Sequence, residues 1–282
     1  EDAVGVSRSI DCAASALLDL DRVDEAVVLL EQAKNTLEYV GDSLDATHAK
    51  HRLGEGFKYQ GQWQRAVVEL EAASSEFKAQ EEPVKEALSD LYLAQCLVQL
   101  DETARAETLY VQLEAYFTSI HHYRYLGLVE LSRAVLASRC ENPRLELAQF
   151  KKALTLSLKH SDQWLENAAR IALAECFVER EDFDKAKGHV EKINIAKIGQ
   201  QLGFLNRTKN VSAACLVGNQ EYYAAEPLLL EVLGAGKGKV LSEERAKASL
   251  LLAQIREKEG RIEDAEKLRL SSEKLAKETL NV

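Results

Sequence analysis

The chain has 282 residues, of which 46% are apolar and 29% charged, and its formal net charge at pH 7 is -10. This length can bury a large core, and the acidic balance makes nucleic acid a poor partner, because neutralising phosphates requires clustered Lys and Arg. With 14 Gly and 3 Pro, the chain has too few turn residues for a β-rich fold. The abundance of Ala, Leu, Glu and Lys favours helices, and the composition therefore predicts an all-α fold.

A repeated frame along the chain predicts a series of helix hairpins. Clear copies are "LGEGFKYQGQWQRAVVELEAA" at 53–73, "LAQCLVQLDETARAETLYVQL" at 93–113, "LAECFVEREDFDKAKGHVEKI" at 173–193 and "LAQIREKEGRIEDAEKL" at 252–268. In chain order the predicted repeats are 7–42, 43–82, 83–122, 123–161, 162–199, 200–241 and 242–282. Each carries an anchoring alanine on its second helix, at Ala26, Ala66, Ala106, Ala148, Ala186, Ala225 and Ala265.

The frame places small residues where two helices of a hairpin must approach each other. Gly54 on the first helix of the second repeat and Ala66 on its second helix are one such pair, and larger apolar residues at i+3 and i+4 spacing fill the rest of the seam. In the fourth repeat, where the frame is weakest, Pro143 and uneven alanine spacing predict a longer turn or altered curvature at 138–146.

This frame resembles the tetratricopeptide repeat (TPR) family, and the similarity covers nearly the whole chain. The period of roughly 40 residues, with "GD" after Val40, is most similar to the long-period branch of these helical repeats. The resemblance implies a superhelical solenoid of about seven helix hairpins, in which the first helices line a concave groove that holds a peptide or helix of a partner protein.

The stretch "GAGKGKVLS" at 234–242 resembles a phosphate-binding loop but lacks its requirements. A P-loop has the form G-x-x-x-x-G-K-[ST] between a strand and a helix; here Gly234 to Gly238 is one residue too short and Val240 follows Lys239. We interpret it as a linker between the sixth and seventh hairpins, with Ser242 as the N-cap of the next helix.

Cysteines and histidines suggest no catalytic or metal site. The five cysteines are scattered without a C-x-x-C pair, which favours reduced, buried thiols over disulfides or zinc. His48, His51 and Glu55 share one helix face and could hold a metal, but the set lacks a further ligand, so a solvated groove wall is the favoured interpretation. We expect no cofactor, no metal and no enzymatic activity.

The predicted partner-binding residues are those that helical spacing places on the inner face of the first helices. The positive charge of this groove is expected to lie near His48, His51, Arg52 and Lys58. The full set is His48, His51, Arg52, Glu55, Lys58, Tyr59, Gln95, Arg133, Arg207, Asn210 and Lys247.

The sequence thus predicts a non-enzymatic scaffold or adaptor that binds another protein. The alternative is a ligand- or peptide-sensing module of a signalling or transcription regulator. The sequence has no signal peptide and no apolar run long enough to span a membrane, so we expect a cytoplasmic protein without membrane insertion. The chain contains no Met, even at residue 1, which is consistent with a fragment of a larger protein or with methionines missing from the sequence.

Overall fold

The computed structural model describes residues 3–20, 22–195, 202–234 and 239–280, and within these ranges the chain forms helices and no strand. Fourteen helices are described. They are α1 (Ala3–Asp19), α2 (Val23–Val40), α3 (Ser43–Gln60), α4 (Trp63–Ala79), α5 (Pro83–Gln99), α6 (Thr103–Ser119), α7 (Tyr123–Arg139), α8 (Pro143–His160), α9 (Gln163–Val178), α10 (Phe183–Val190), α11 (Leu202–Gly218), α12 (Tyr222–Gly234), α13 (Lys239–Lys258) and α14 (Ile262–Leu280).

The chain divides into two compact units, Glu1–Asn142 and Pro143–Val282. In the first unit, each helix packs on the next, and the first helices of successive hairpins also contact each other directly, as α1–α3, α3–α5 and α5–α7. In the second unit, α9–α11 and α11–α13 repeat this arrangement. That the chain forms one continuous array of seven hairpins stays a prediction.

The second helices of the first unit are bridged by long side chains. Lys34 Nζ of α2 lies 2.8 Å from Glu69 Oε1 of α4, and Arg105 of α6 pairs with Glu71 of α4. Because the first helices approach each other more closely than the second helices do, they form the inner side of the bend in this unit. The surface of α3, α5 and α7 that faces this inner side is called the inner face below.

The turns between helices recur at a constant interval. From position 41 to position 181, every twentieth residue has a left-handed backbone, with φ between 53° and 78°. Gly41 and Gly61 adopt it without strain, and their amides close the preceding helix by bonding to Glu38 and Lys58 carbonyls. One helix and its turn therefore form the repeating unit of this part of the chain, and two such units make a hairpin. At the other positions a larger residue takes this conformation, namely Glu81, Asp101, His121, Glu141, Ser161 and Glu181.

The seam between α3 and α4 is built as the sequence predicts. A Cβ added to Gly54 would lie 2.5 Å from Leu70 Cγ and 3.4 Å from the Ala66 carbonyl oxygen. The backbones of the two helices can therefore approach this closely because residue 54 has no side chain. The six anchoring alanines outside the fourth repeat are fully buried.

The predicted fourth anchor is wrong, since Ala148 is exposed. The residue one repeat period after Ala106 is Glu146, which is buried with 7% exposure. Its carboxylate oxygen Oε2 accepts a 2.7 Å hydrogen bond from Arg180 Nη2, just after α9. A paired carboxylate thus occupies the position that alanine holds in the other repeats, and a search for small residues could not find it.

The predicted longer turn near Pro143 is also wrong. The turn from α7 to α8 spans residues 140–142, the same length as 100–102 between α5 and α6. The Glu141 amide bonds to the Ser138 carbonyl and the Asn142 amide to the Ala137 carbonyl, which closes α7 as Gly61 closes α3. Pro143 begins α8, where its missing N–H is not needed.

The glycine-rich linker falls largely outside the described residues, which omit 235–238. Ser242 lies inside α13, which begins at Lys239, so its prediction as an N-cap is wrong. Cys96, Cys176 and Cys215 are buried as expected, whereas Cys12 and Cys140 are exposed.

Candidate functional site

The inner face of the first unit is held together by hydrogen bonds between successive first helices. Tyr92 of α5 donates its hydroxyl to Glu55 Oε1 of α3 over 3.1 Å, and Lys58 Nζ donates to Gln95 Oε1 over 3.0 Å. The Gln95 amide in turn donates to Ser132 Oγ of α7 over 2.9 Å. The two partners of each bond have the same separation along the chain, so the same interaction geometry repeats along the unit.

Lys58 lies on the α3 side of this inner face, half-buried between two tyrosines. Its Nζ is 4.3 Å from the ring centroid of Tyr92 and 4.8 Å from that of Tyr59, within cation–π range. Burial lowers the pKa of the Lys58 ammonium, and the Glu55 carboxylate opposes that shift. The result is a cation that has lost part of its hydration and is held against two aromatic faces.

His51 supplies no positive charge, contrary to the expectation for this groove. Its Nδ1 lies 2.9 Å from Ser89 Oγ, and its ring stacks on Tyr92 at 5.4 Å between centroids. Burial lowers the pKa of His51 to about 4, so the ring is neutral at pH 7. His48, one turn earlier, packs edge-on against Phe77 at 5.1 Å.

Glu55 and Arg52 form an ion pair in which the glutamate is buried and supports the arginine. Glu55 is buried, with 6% exposure, and its Oε2 accepts a 3.0 Å bond from Arg52 Nη1. We therefore correct the prediction that Glu55 contacts a partner: it orients Tyr92 and Arg52 from beneath the surface.

Arg133 is tied to the neighbouring helix instead of lying open on the inner face. Its Nη1 and Nη2 each donate over 2.6 Å, to Glu114 Oε2 and Glu107 Oε1 of α6. Both guanidinium ends are engaged, so we correct its assignment from partner contact to a link between α6 and α7.

In the second unit the predicted residues lie on α11 and α13. Arg207 donates from Nε to Glu175 Oε1 of α9 over 3.0 Å. Lys247 pairs with Glu244 over 2.8 Å and is about half-exposed. Asn210 is buried, with 4% exposure, and donates to the Glu244 side chain over 2.7 Å. Asn210 therefore joins α11 to α13, which corrects its predicted role in partner contact.

Sequence reasoning missed Tyr92, which contacts both His51 and Lys58. A signal was available, because Tyr92 and Ser132 follow Arg52 by one and two repeat periods and so occupy the same repeat position. Within the described residues, no group of three or more His, Cys, Asp or Glu is placed to hold a metal ion. None of the described helices combines the length and apolar character needed to cross a membrane.

Comparison with solved structures gives the fold. A Rap protein in complex with competence and sporulation factor superimposes with a TM-score of 0.73 at 14% identity, covering 95% of this chain and 75% of that one. The Rap conjugation gene regulator of plasmid pLS20, in complex with the Phr* peptide, gives 0.77 at 10% identity, covering 99% and 76%. A tetratricopeptide repeat protein from Parabacteroides merdae gives 0.54 at 15% identity, covering 97% and 98%.

The chain has a TPR-like helical repeat fold. No family model matches the sequence, and no curated protein matches it at a significant level. At these sequence identities, the similarity to solved structures establishes the fold alone.

Proposed function

We propose that this chain is a non-enzymatic interaction module that binds a peptide or a helix of a partner protein on the inner face of its first helices. The observation that supports this most is the inner face of the first unit, where Lys58, Tyr59, Tyr92 and Gln95 are half-buried and leave polar and aromatic surface exposed. Of the similar structures, one is a complex with competence and sporulation factor and another a complex with the Phr* peptide.

The residues proposed to touch the partner follow from their exposure. In the first unit they are His48, Arg52, Lys58, Tyr59, Tyr92 and Gln95. In the second unit they are Lys247 and Arg207, which pairs with Glu175 but keeps 33% of its side chain exposed, against 16% for Arg133. Aromatic and arginine side chains of this kind contribute most to binding free energy at protein interfaces, whereas His51, Glu55 and Asn210 support them from within.

A second candidate is a peptide-sensing module of a larger regulator. It is favoured by the similar structure whose peptide-bound protein is a gene regulator. An effector domain elsewhere in the same gene product would favour the sensor, and its absence would favour the adaptor.

We also infer that the repeats belong to the long-period TPR branch and stack as one array from 7 to 282. The constant interval between turns supports the period. The five free cysteines fit a reducing, cytoplasmic environment, and the net charge of -10 argues against nucleic acid as a direct partner.

A matched pair of tyrosine variants tests the proposed surface. Peptides are first selected on the full chain from a phage-displayed library of random short peptides. Tyr59→Ala, on α3, should lower the affinity for the selected peptide by about tenfold, or ~1.4 kcal/mol. Tyr39→Ala, which removes a 91% exposed ring from α2, should leave its affinity unchanged. Equal effects of the two variants, or selection of no peptide, would overturn the proposal.

A further inference from the structure

Lys58 differs from the other half-buried lysines in how its charge is compensated. The described chain has five half-buried lysines, at positions 34, 50, 58, 85 and 209. Lys58 contacts a neutral amide and two rings. The other four lie within 4 Å of a carboxylate: Lys34 at 2.8 Å from Glu69, Lys50 at 2.7 Å from Glu76, Lys85 at 3.4 Å from Glu82 and Lys209 at 2.9 Å from Glu231.

The nearest carboxylate is directed elsewhere. Glu55 is three residues before Lys58 on the same helix, a spacing at which side chains can meet. Its Oε1 accepts from Tyr92 and its Oε2 from Arg52. The glutamate therefore holds Tyr92 and Arg52, and among the residues that the structure describes, the ammonium of Lys58 forms no ion pair.

This arrangement has an energetic consequence. An ammonium has three N–H donors, and the hydrogen bond to Gln95 Oε1 uses one of them. The tyrosine faces offset part of the lost hydration, yet a cation without a counter-ion in a partly dry site stays under-compensated. Burial lowers the pKa of Lys58 for this reason. A carboxylate brought to this position gains a charge-assisted hydrogen bond, and part of the desolvation cost of the pair is already met, because burial has removed some of the hydration of Lys58.

We propose that Lys58 is the recognition point for an acidic side chain, Asp or Glu, of the bound peptide. The carboxylate pairs with the Lys58 ammonium, and the residue next to it in the peptide packs on the exposed parts of Tyr59 and Tyr92. The inference rests on the proposed function and adds to it the chemical class of the ligand. Charge complementarity selects this occupant over a basic segment, which would meet an unpaired cation.

A double-mutant cycle across the interface tests the pairing. Peptides are selected from the phage-displayed library, in which random residues lie inside a longer chain and carry no free C-terminal carboxylate. The best peptide is synthesised with an amidated C-terminus, together with its Glu→Gln or Asp→Asn form. Both are titrated against wild type, Lys58→Met, Lys58→Arg and the control Lys34→Met, which removes a half-buried lysine from α2.

We expect the neutral peptide to bind wild type at least about tenfold more weakly than the acidic one, and Lys58→Met to remove that difference. Lys58→Arg should keep most of it, because the charge is retained, and Lys34→Met should keep all of it. If the methionine variant does not fold, salt dependence serves as the test. Added salt should weaken the acidic peptide more than the neutral one, both in wild type and in Lys58→Arg.

The outcomes separate this inference from the proposed function. If peptides bind the inner face but carry no acidic residue, or if the acidic-to-neutral change costs the same in wild type and Lys58→Met, the role of Lys58 is refuted while peptide binding stands. If the amidated acidic peptide fails to bind while the same peptide with a free C-terminus binds, the C-terminal carboxylate and not the acidic side chain is the ligand. If no peptide binds, both proposals fall.

Discussion

Gly54→Ala offers a direct test of the seam between α3 and α4. Alanine is favoured over glycine in a helix interior by about 1 kcal/mol, so at an open site this change stabilises. At position 54 the new Cβ would lie 2.5 Å from Leu70 Cγ and 2.8 Å from Leu70 Cδ2. Leu70 is fully buried and must move by roughly 1 Å to restore ordinary contact.

Overpacking of this kind costs about 1–3 kcal/mol, which exceeds the gain in helix propensity. We therefore expect Gly54→Ala to lower the free energy of unfolding of the first unit by about 1 kcal/mol. Leu70→Ala removes the clashing atoms at a cost of about 2–5 kcal/mol. In that background Gly54→Ala should stabilise, which gives a coupling of about 2 kcal/mol between the two positions.

The assay uses the two tryptophans, which lie one in each unit as Trp63 and Trp164. In a Trp164→Phe background, urea unfolding followed by the fluorescence of Trp63 reports on the first unit. Gly188→Ala, read by Trp164 in a Trp63→Phe background, is the control, because no atom lies within 4 Å of its added Cβ. If the changes at 54 and 70 add within about 0.5 kcal/mol, or if Gly54→Ala stabilises like the control, the reasoning is refuted.

Three further changes test the turns, the buried histidine and the buried amide. Glu81→Gly should raise the unfolding free energy by about 1 kcal/mol in urea melts, because Glu81 has a left-handed φ of 59° that glycine adopts without strain; a loss of stability would contradict this. Burial in the folded state lowers the pKa of His51 to about 4, against about 6.5 in the unfolded chain. As the pH drops from 6.5 towards 4, the unfolded chain therefore takes up the proton first. The free energy of unfolding should fall over this range by on the order of 2–3 kcal/mol. His51→Gln should flatten this pH dependence, and an unchanged slope in urea melts would refute it. Asn210→Asp should destabilise the second unit by about 3 kcal/mol, because it sets a second carboxylate against buried Glu244. Asn210→Ala should cost less, and equal urea midpoints for the two variants would refute the contact.

The helical architecture could be predicted because it depends on local pattern. Small residues such as Gly54 and Ala66 recur with the period of the hairpins, and each must be small for the backbones to approach. The same argument led to Ala148, because it looks for small residues only. Glu146 fills that position as one half of an ion pair whose partner, Arg180, lies 34 residues later, and no local pattern contains such a pairing.

The inner face could be located from helical spacing, but its chemistry could not. His51 and Lys58 both count as basic residues in the sequence, yet one is a neutral ring against Ser89 and Tyr92 and the other is a partly dehydrated cation. The difference arises from residues of α5, nearly a full repeat later in the chain, which decide the burial of each group. Asn210 was assigned to the surface for the same reason, since the residue that buries it belongs to α13.

Hydrogen–deuterium exchange of the first unit, with and without a selected peptide, tests the central claim most directly. Binding on the inner face predicts that amide exchange slows most in α3 and α5, whose side chains form that face, and changes little in α4 and α6. Protection confined to α4 or α6, with α3 and α5 unchanged, would place the peptide on the opposite side and contradict the account.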